Sequence, residues 1–118
     1  MGRLSTHVLD TVWGKPAQGV TIELAMLRPD GAWQRLNQVV TNADGRTDQP
    51  LLAGDAFSAG TYMLTFHIGA YFEASGLAVT DPPFLDLVPL RFTVADADAH
   101  YHVPLLATPW SYSTYRGS

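Results

Sequence analysis

The chain alternates between apolar and polar positions over most of its length. In "VTIELAML", Val20, Ile22, Leu24 and Met26 fall on one face while Thr21 and Glu23 fall on the other, the period of two that a half-buried β-strand requires. "TYMLTFHI" repeats the pattern with Tyr62, Leu64, Phe66 and Ile68, and "LVPLRFTV" with Val88, Leu90, Phe92 and Val94. These three segments predict core strands. Turn signals stand between the runs: "WGKPAQG" (13–19), "RPDG" (28–31), "NADG" (42–45), "AGDAFSAG" (53–60) and "TDPP" (80–83). Gly supplies positive φ there, Pro presets φ, and Asn or Asp bonds its own backbone, so each cluster can reverse the chain.

Adding "STHVLD", "WQRLNQVVT", a short piece near "GRTDQ", "HYHVPLLA" and "SYSTYR" brings the count to about eight strands. Strands at this spacing joined by short turns predict an all-β fold, a two-sheet antiparallel β-sandwich, with a small closed barrel as the alternative. One short helix is expected over "GAYFEASG" (69–76), where two turns flanked by glycines need a sheet to pack on.

Length and composition narrow the class. A chain of 118 residues with 47% hydrophobic and 15% charged residues predicts one folded domain, 1–118. A formal charge of -4 leaves no basic footprint for nucleic acid. The absence of cysteine leaves a fold that stands on packing alone. The opening "MGRLSTHVLD" has no apolar run of signal-peptide length, and no window approaches the roughly 20 apolar residues of a membrane span. A soluble, cytoplasmic protein without a membrane partner is expected.

Alternation also marks where chemistry sits. In "HYHVPLLA", Tyr101, Val103 and Leu105 form the conventional core face, which puts His100, His102, Pro104 and Leu106 on the other. That second face is too apolar for plain solvent-facing sheet. In "THVLD", His7 and Leu9 oppose Val8 and Asp10, so the non-core face presents either a histidine or an aspartate. Arg46, after "NADG", is by spacing alone a turn arginine, and His67 and His100 read as ordinary polar residues. "HYH" offers two same-face nitrogens about 7 Å apart along the backbone but no third ligand nearby, so no metal site is expected. A nucleophile elbow, a phosphate loop and a dinucleotide fingerprint are all missing.

Taken in order, "STHVLDTVWGKPAQGV", "TNADGR", "GTYMLTFHIGAYF" and "HYHVPLLATPWSYSTYRGS" resemble the 5-hydroxyisourate hydrolases, the enzymatic relatives of transthyretin, over essentially the whole chain. The terminal "YRGS" is the hallmark that favours the enzymes over the hormone carrier. The resemblance implies a sandwich with one short helix, assembled as a homotetramer, a dimer of dimers. Its active site would lie in a channel at the dimer–dimer interface. It implies hydrolysis of 5-hydroxyisourate, the product of urate oxidation, to 2-oxo-4-hydroxy-4-carboxy-5-ureidoimidazoline, with no cofactor. Matched motif by motif, His7, Arg46, His102 and Ser118 would be catalytic, and His7, Arg46, Tyr115, Arg116 and Gly117 would hold the substrate. On chemistry, the histidines would orient and activate water and Arg46 would receive a developing oxyanion. Tyr115 would bond to or stack on the substrate ring, and Arg116 is able to pair with the terminal carboxylate. A transthyretin-like carrier that binds a small aromatic ligand without turnover is the alternative.

Overall fold

The computed structural model describes residues 1–77 and 80–117 and contains nine strands and one α-helix, with a short 3-10 turn at Gly54–Ala56. The strands are β1 (Arg3–Asp10), β2 (Lys15–Pro16), β3 (Thr21–Leu27), β4 (Trp33–Val40), β5 (Leu52–Ala53), β6 (Gly60–His67), β7 (Leu87–Val94), β8 (His100–Ala107) and β9 (Tyr112–Thr114). The helix α1 spans Ile68–Ala74. One sheet runs β2-β1-β8-β9 with β5 also on β1, and the other runs β4-β3-β6-β7. The architecture is the expected two-sheet sandwich.

The core is made of the alternating faces read from the sequence. Ile22, Leu24, Tyr62, Leu64, Phe66, Val88 and Leu90 close it from the four-stranded sheet. Leu4, Val8, Tyr101, Val103 and Leu105 close it from the other. The helix buries Ile68 and Phe72, four residues apart and so on one face, against this layer. It stops at Gly76, whose φ of 81° is the left-handed conformation that ends helices.

Two features depart from expectation. The pairing of β1 with β8 is parallel, from Arg3 opposite His100 to Asp10 opposite Ala107. Antiparallel order follows for strands joined by a hairpin, but these two meet only after the chain has crossed the whole other sheet, which leaves their direction to the topology. The short strand expected near "GRTDQ" is instead β5, at Leu52–Ala53. Residues 42–46 satisfy their backbone locally: the Asn42 side-chain oxygen accepts the N–H groups of Asp44 (2.9 Å) and Arg46 (3.2 Å). A loop closed on its own asparagine has no ladder to offer.

Buried polar groups are paired. Asp10, 1% exposed, accepts the N–H groups of Val12 (3.0 Å) and Trp13 (3.1 Å) and the Tyr71 hydroxyl (2.7 Å). Burial, and then the Asp10 carboxylate, push the Tyr71 hydroxyl above its ordinary pKa of 10, so it remains a donor. This ties β1, the turn after it and α1 together. It also resolves the β1 ambiguity: Leu4, Thr6, Val8 and Asp10 face inward, and His7 faces out.

Candidate active site

The outward face of the five-stranded sheet carries Ser5, His7 and Leu9 from β1 and His102, Pro104 and Leu106 from β8, the residues that alternate away from the core. Parallel register places Ser5 opposite His102 and His7 opposite Pro104. The two histidines therefore sit diagonally, with ring centroids 6.5 Å apart and planes tilted by 40°. Both are half-buried.

Arg46 reaches this face from the 42–46 loop. Gly45 donates its N–H to the Asn42 carbonyl (2.9 Å), and Asn42 donates its own to the Arg46 carbonyl (2.8 Å). The loop is clipped to β1 where Val8 donates its N–H to the Gly45 carbonyl (2.8 Å), one residue from His7. Gly45 has φ of 71°, and a side chain there would run into the Val8 carbonyl, so glycine alone allows the loop to sit this close. Asn42 and Gly45 of "NADGR" thus shape the loop, and the result is an Arg46 charge close enough to act on both imidazoles.

The electrostatics follow from that placement. Burial first, and the Arg46 charge second, hold the His7 pKa below the ordinary 6.5, while the backbone and carboxylate of Asp44 pull it partly back. His102 is lowered by the same two causes in the same order, with a smaller contribution from His7. Both shifts favour the neutral ring, whose lone pair is able to take a proton.

The C-terminal segment divides between two places. Gly117 donates its N–H to the His102 carbonyl (2.7 Å) and lies against that ring: a Cβ at Gly117 would come within 2.8 Å of His102 Cδ2. Arg116 turns the other way. Its guanidinium lies over the Tyr101 ring, 4.0 Å from the centroid, and its Nη2 donates to the His100 carbonyl at 3.4 Å. Tyr115 and Arg116 border a hollow of about 300 Å³ shared with Leu90, Phe92 and Val103, away from the histidine pair. Ser118 lies outside the described residues. Within one chain, then, His7, Arg46, His102 and Gly117 come together, and Arg116 does not join them.

The remaining histidines are accounted for elsewhere. His67 bonds through Nε2 to Glu23 (2.7 Å) on the four-stranded sheet, where Arg35 also approaches Glu23 at 3.4 Å. His100 stands opposite Arg3 at the start of β8. One neighbour of the pair went unread in the sequence: Ser5, whose Oγ lies 2.8 Å from His102 Nδ1. It shares a strand face with His7, which alternation shows, but its contact with His102 depends on the β1–β8 register. A hollow of about 220 Å³ beside it is lined by Ser5, Arg46, Asp48 and Gln49.

A two-sheet sandwich whose outer face carries two neutral histidines and an arginine has known relatives. The chain belongs to the HIUase/Transthyretin family, whose family model matches residues 4–117. It is 58% identical over 117 residues to 5-hydroxyisourate hydrolase 2 of Rhizobium meliloti, covering 99% of this chain and 97% of that protein. Among solved structures it superposes on (S)-allantoin synthase with a TM-score of 0.93 at 48% identity, covering 99% of this chain. It spans only 44% of that longer chain. Sea bream transthyretin in complex with thyroxine matches with a TM-score of 0.88 at 30% identity, over 98% of this chain and 94% of the other.

Proposed function

We propose that this protein is an enzyme that hydrolyses 5-hydroxyisourate, the activity carried in the name of its Rhizobium meliloti relative, and so acts in urate breakdown. The observation that carries the reading is the pair of half-buried histidines with ring centroids 6.5 Å apart, whose pKa values burial and then Arg46 hold below 6.5. A carrier of a flat aromatic ligand has no need of two proton acceptors and a guanidinium on one face; a hydrolase has use for all three.

The chemistry is water attack on a cyclic amide. A neutral imidazole takes a proton from water as the water oxygen bonds to the ring carbonyl carbon. The carbonyl electrons move onto oxygen, where the Arg46 fork stabilises the new anion. When the anion collapses, the ring C–N bond breaks and the nitrogen leaves with a proton returned by an imidazolium. Atoms balance with water alone. Gly117 sets the distance of the C-terminal segment from His102. Tyr115 and Ser118 enter the reading through the "YRGS" motif, Tyr115 against the substrate ring and Ser118 through its hydroxyl or terminal carboxylate.

The working form in this reading is a homotetramer with the histidine face lining a channel between dimers. The half-buried Leu9 and Leu106 make that face apolar around its polar centre, and Val12, Trp13 and Trp110 are large exposed hydrophobics nearby in the chain. Exposed apolar surface of this kind marks interfaces, and closed symmetry buries it. In a shared channel the exposed Tyr115 of one protomer can serve a site built mainly by another, whereas Arg116 would first have to leave the Tyr101 ring.

The test generates 5-hydroxyisourate from urate with urate oxidase and follows its decay spectroscopically with increasing protein. Decay accelerated in proportion to protein supports the hydrolase. A folded protein that binds the compound without accelerating its decay returns the function to the carrier. The pH profile adds a sign. A base must be unprotonated, and both histidines lie below 6.5, so kcat/KM should stay level from pH 8 down to that value and fall only beneath it. An acid limb centred above pH 6.5 would contradict a base formed by these lowered histidines.

A further inference from the structure

Imidazole has two nitrogens, and a ring free to rotate about its last side-chain torsion presents either one. That torsion is broad and roughly two-fold, so a histidine that must offer one nitrogen needs neighbours to hold it. His102 is held on both edges. Ser5 Oγ lies 2.8 Å from Nδ1, and Gly117 closes on Cδ2, where even a methyl group would come within 2.8 Å. Ser5 comes from the strand beside β8, and Gly117 from the segment whose N–H bonds the His102 carbonyl. The two neighbours flank the ring, and the edge left over is Cε1 and Nε2.

We propose that Ser5 is a positioning residue: by occupying Nδ1 of His102 it leaves Nε2 as the only nitrogen able to exchange a proton with substrate or water. The inference rests on the hydrolase reading and deepens it, since it names the reacting atom of one histidine. The hydroxyl can donate to Nδ1 or accept from it, so the contact holds the ring in one orientation whichever neutral tautomer is present. Among the described residues, the other ionisable groups that act on His102 are Arg46 and His7. Neither bonds Nδ1, so neither substitutes for the serine. Gly117 completes the clamp, which gives the glycine of the terminal motif a steric task.

The experiment uses the intact protein and its Ser5→Ala and Ser5→Thr variants, with two readouts. One is kcat/KM for 5-hydroxyisourate. The other is the nitrogen NMR spectrum of the His102 ring, which reads whether Nδ1 is hydrogen-bonded without any substrate. The wild type should show a hydrogen-bonded His102 Nδ1. Ser5→Ala should lose that signature and about tenfold to a hundredfold in kcat/KM, the scale of a misplaced reacting group. Ser5→Thr, which keeps the hydroxyl on a residue suited to strands, should recover the Nδ1 signature and most of the rate. A Ser5→Ala variant with an unchanged spectrum overturns the proposal whatever its rate, and so does one that loses the Nδ1 signature and keeps full activity. If wild type itself fails to accelerate decay while its spectrum responds to Ser5→Ala as stated, the hydrolase reading falls and the ring contact stands.

Discussion

Arg46→Ala should lower kcat/KM for 5-hydroxyisourate by about a hundredfold to a thousandfold, the scale of removing one donor to a developing oxyanion. A second effect has the same origin. The Arg46 charge lowers the pKa of both His7 and His102, so removing it raises both, and the acid limb of the pH profile moves toward higher pH. Arg46→Lys separates the two contributions. It retains the positive charge and so keeps the limb near its wild-type position, but a lysine is a point charge without the planar fork, and most of the rate loss should remain. The measurement is kcat/KM against pH for the three proteins. An Arg46→Ala variant that keeps both its rate and its limb would leave Arg46 as the turn arginine that spacing alone implies.

His102→Ala should cost about a hundredfold to ten-thousandfold in kcat/KM, the range of a general acid–base group, and His7→Ala a loss of similar order. The informative variant is the double. With ring centroids 6.5 Å apart and His7 itself acting on the His102 pKa, the two imidazoles form one unit. Groups that act as a unit are strongly non-additive: once one is gone, losing the other costs little more. The double variant should therefore be about as slow as the slower single. Fully multiplicative losses would mean two independent roles and would separate the pair. Neither histidine is part of the core, so both singles should fold as wild type does.

Much of this is legible in the sequence. The inward faces of β3, β6 and β7 read directly from alternation, because strand geometry sends successive side chains to opposite sides and half-burial sorts them by polarity. The same rule put His102 on the outer face of β8, where it stands. The loop that carries Arg46 was legible as a turn because its bonds are local, Asn42 to Asp44 and Arg46. Local geometry also limits such readings. "GRTDQ" has the look of a short strand, but strand formation needs a partner, and the partner of β1 at that end is Leu52–Ala53.

What the sequence determined by itself is therefore local: which residues alternate, which turn, which glycines must stay glycine, and a family likeness carried by motifs along the whole chain. The tertiary structure decided what meets what. The parallel pairing of β1 and β8 brings Ser5 to His102 across 97 positions of sequence and sets His7 diagonal to the same ring. Packing chose which face of β1 is core, with Asp10 buried on three hydrogen bonds and His7 turned outward. It split the terminal motif, sending Gly117 to the histidines and Arg116 to the Tyr101 ring. The physical reason is one of range. Periodicity and turn chemistry act over a few residues and are written where they act, whereas register between distant strands is set by burying two sheets at once, which no single segment encodes.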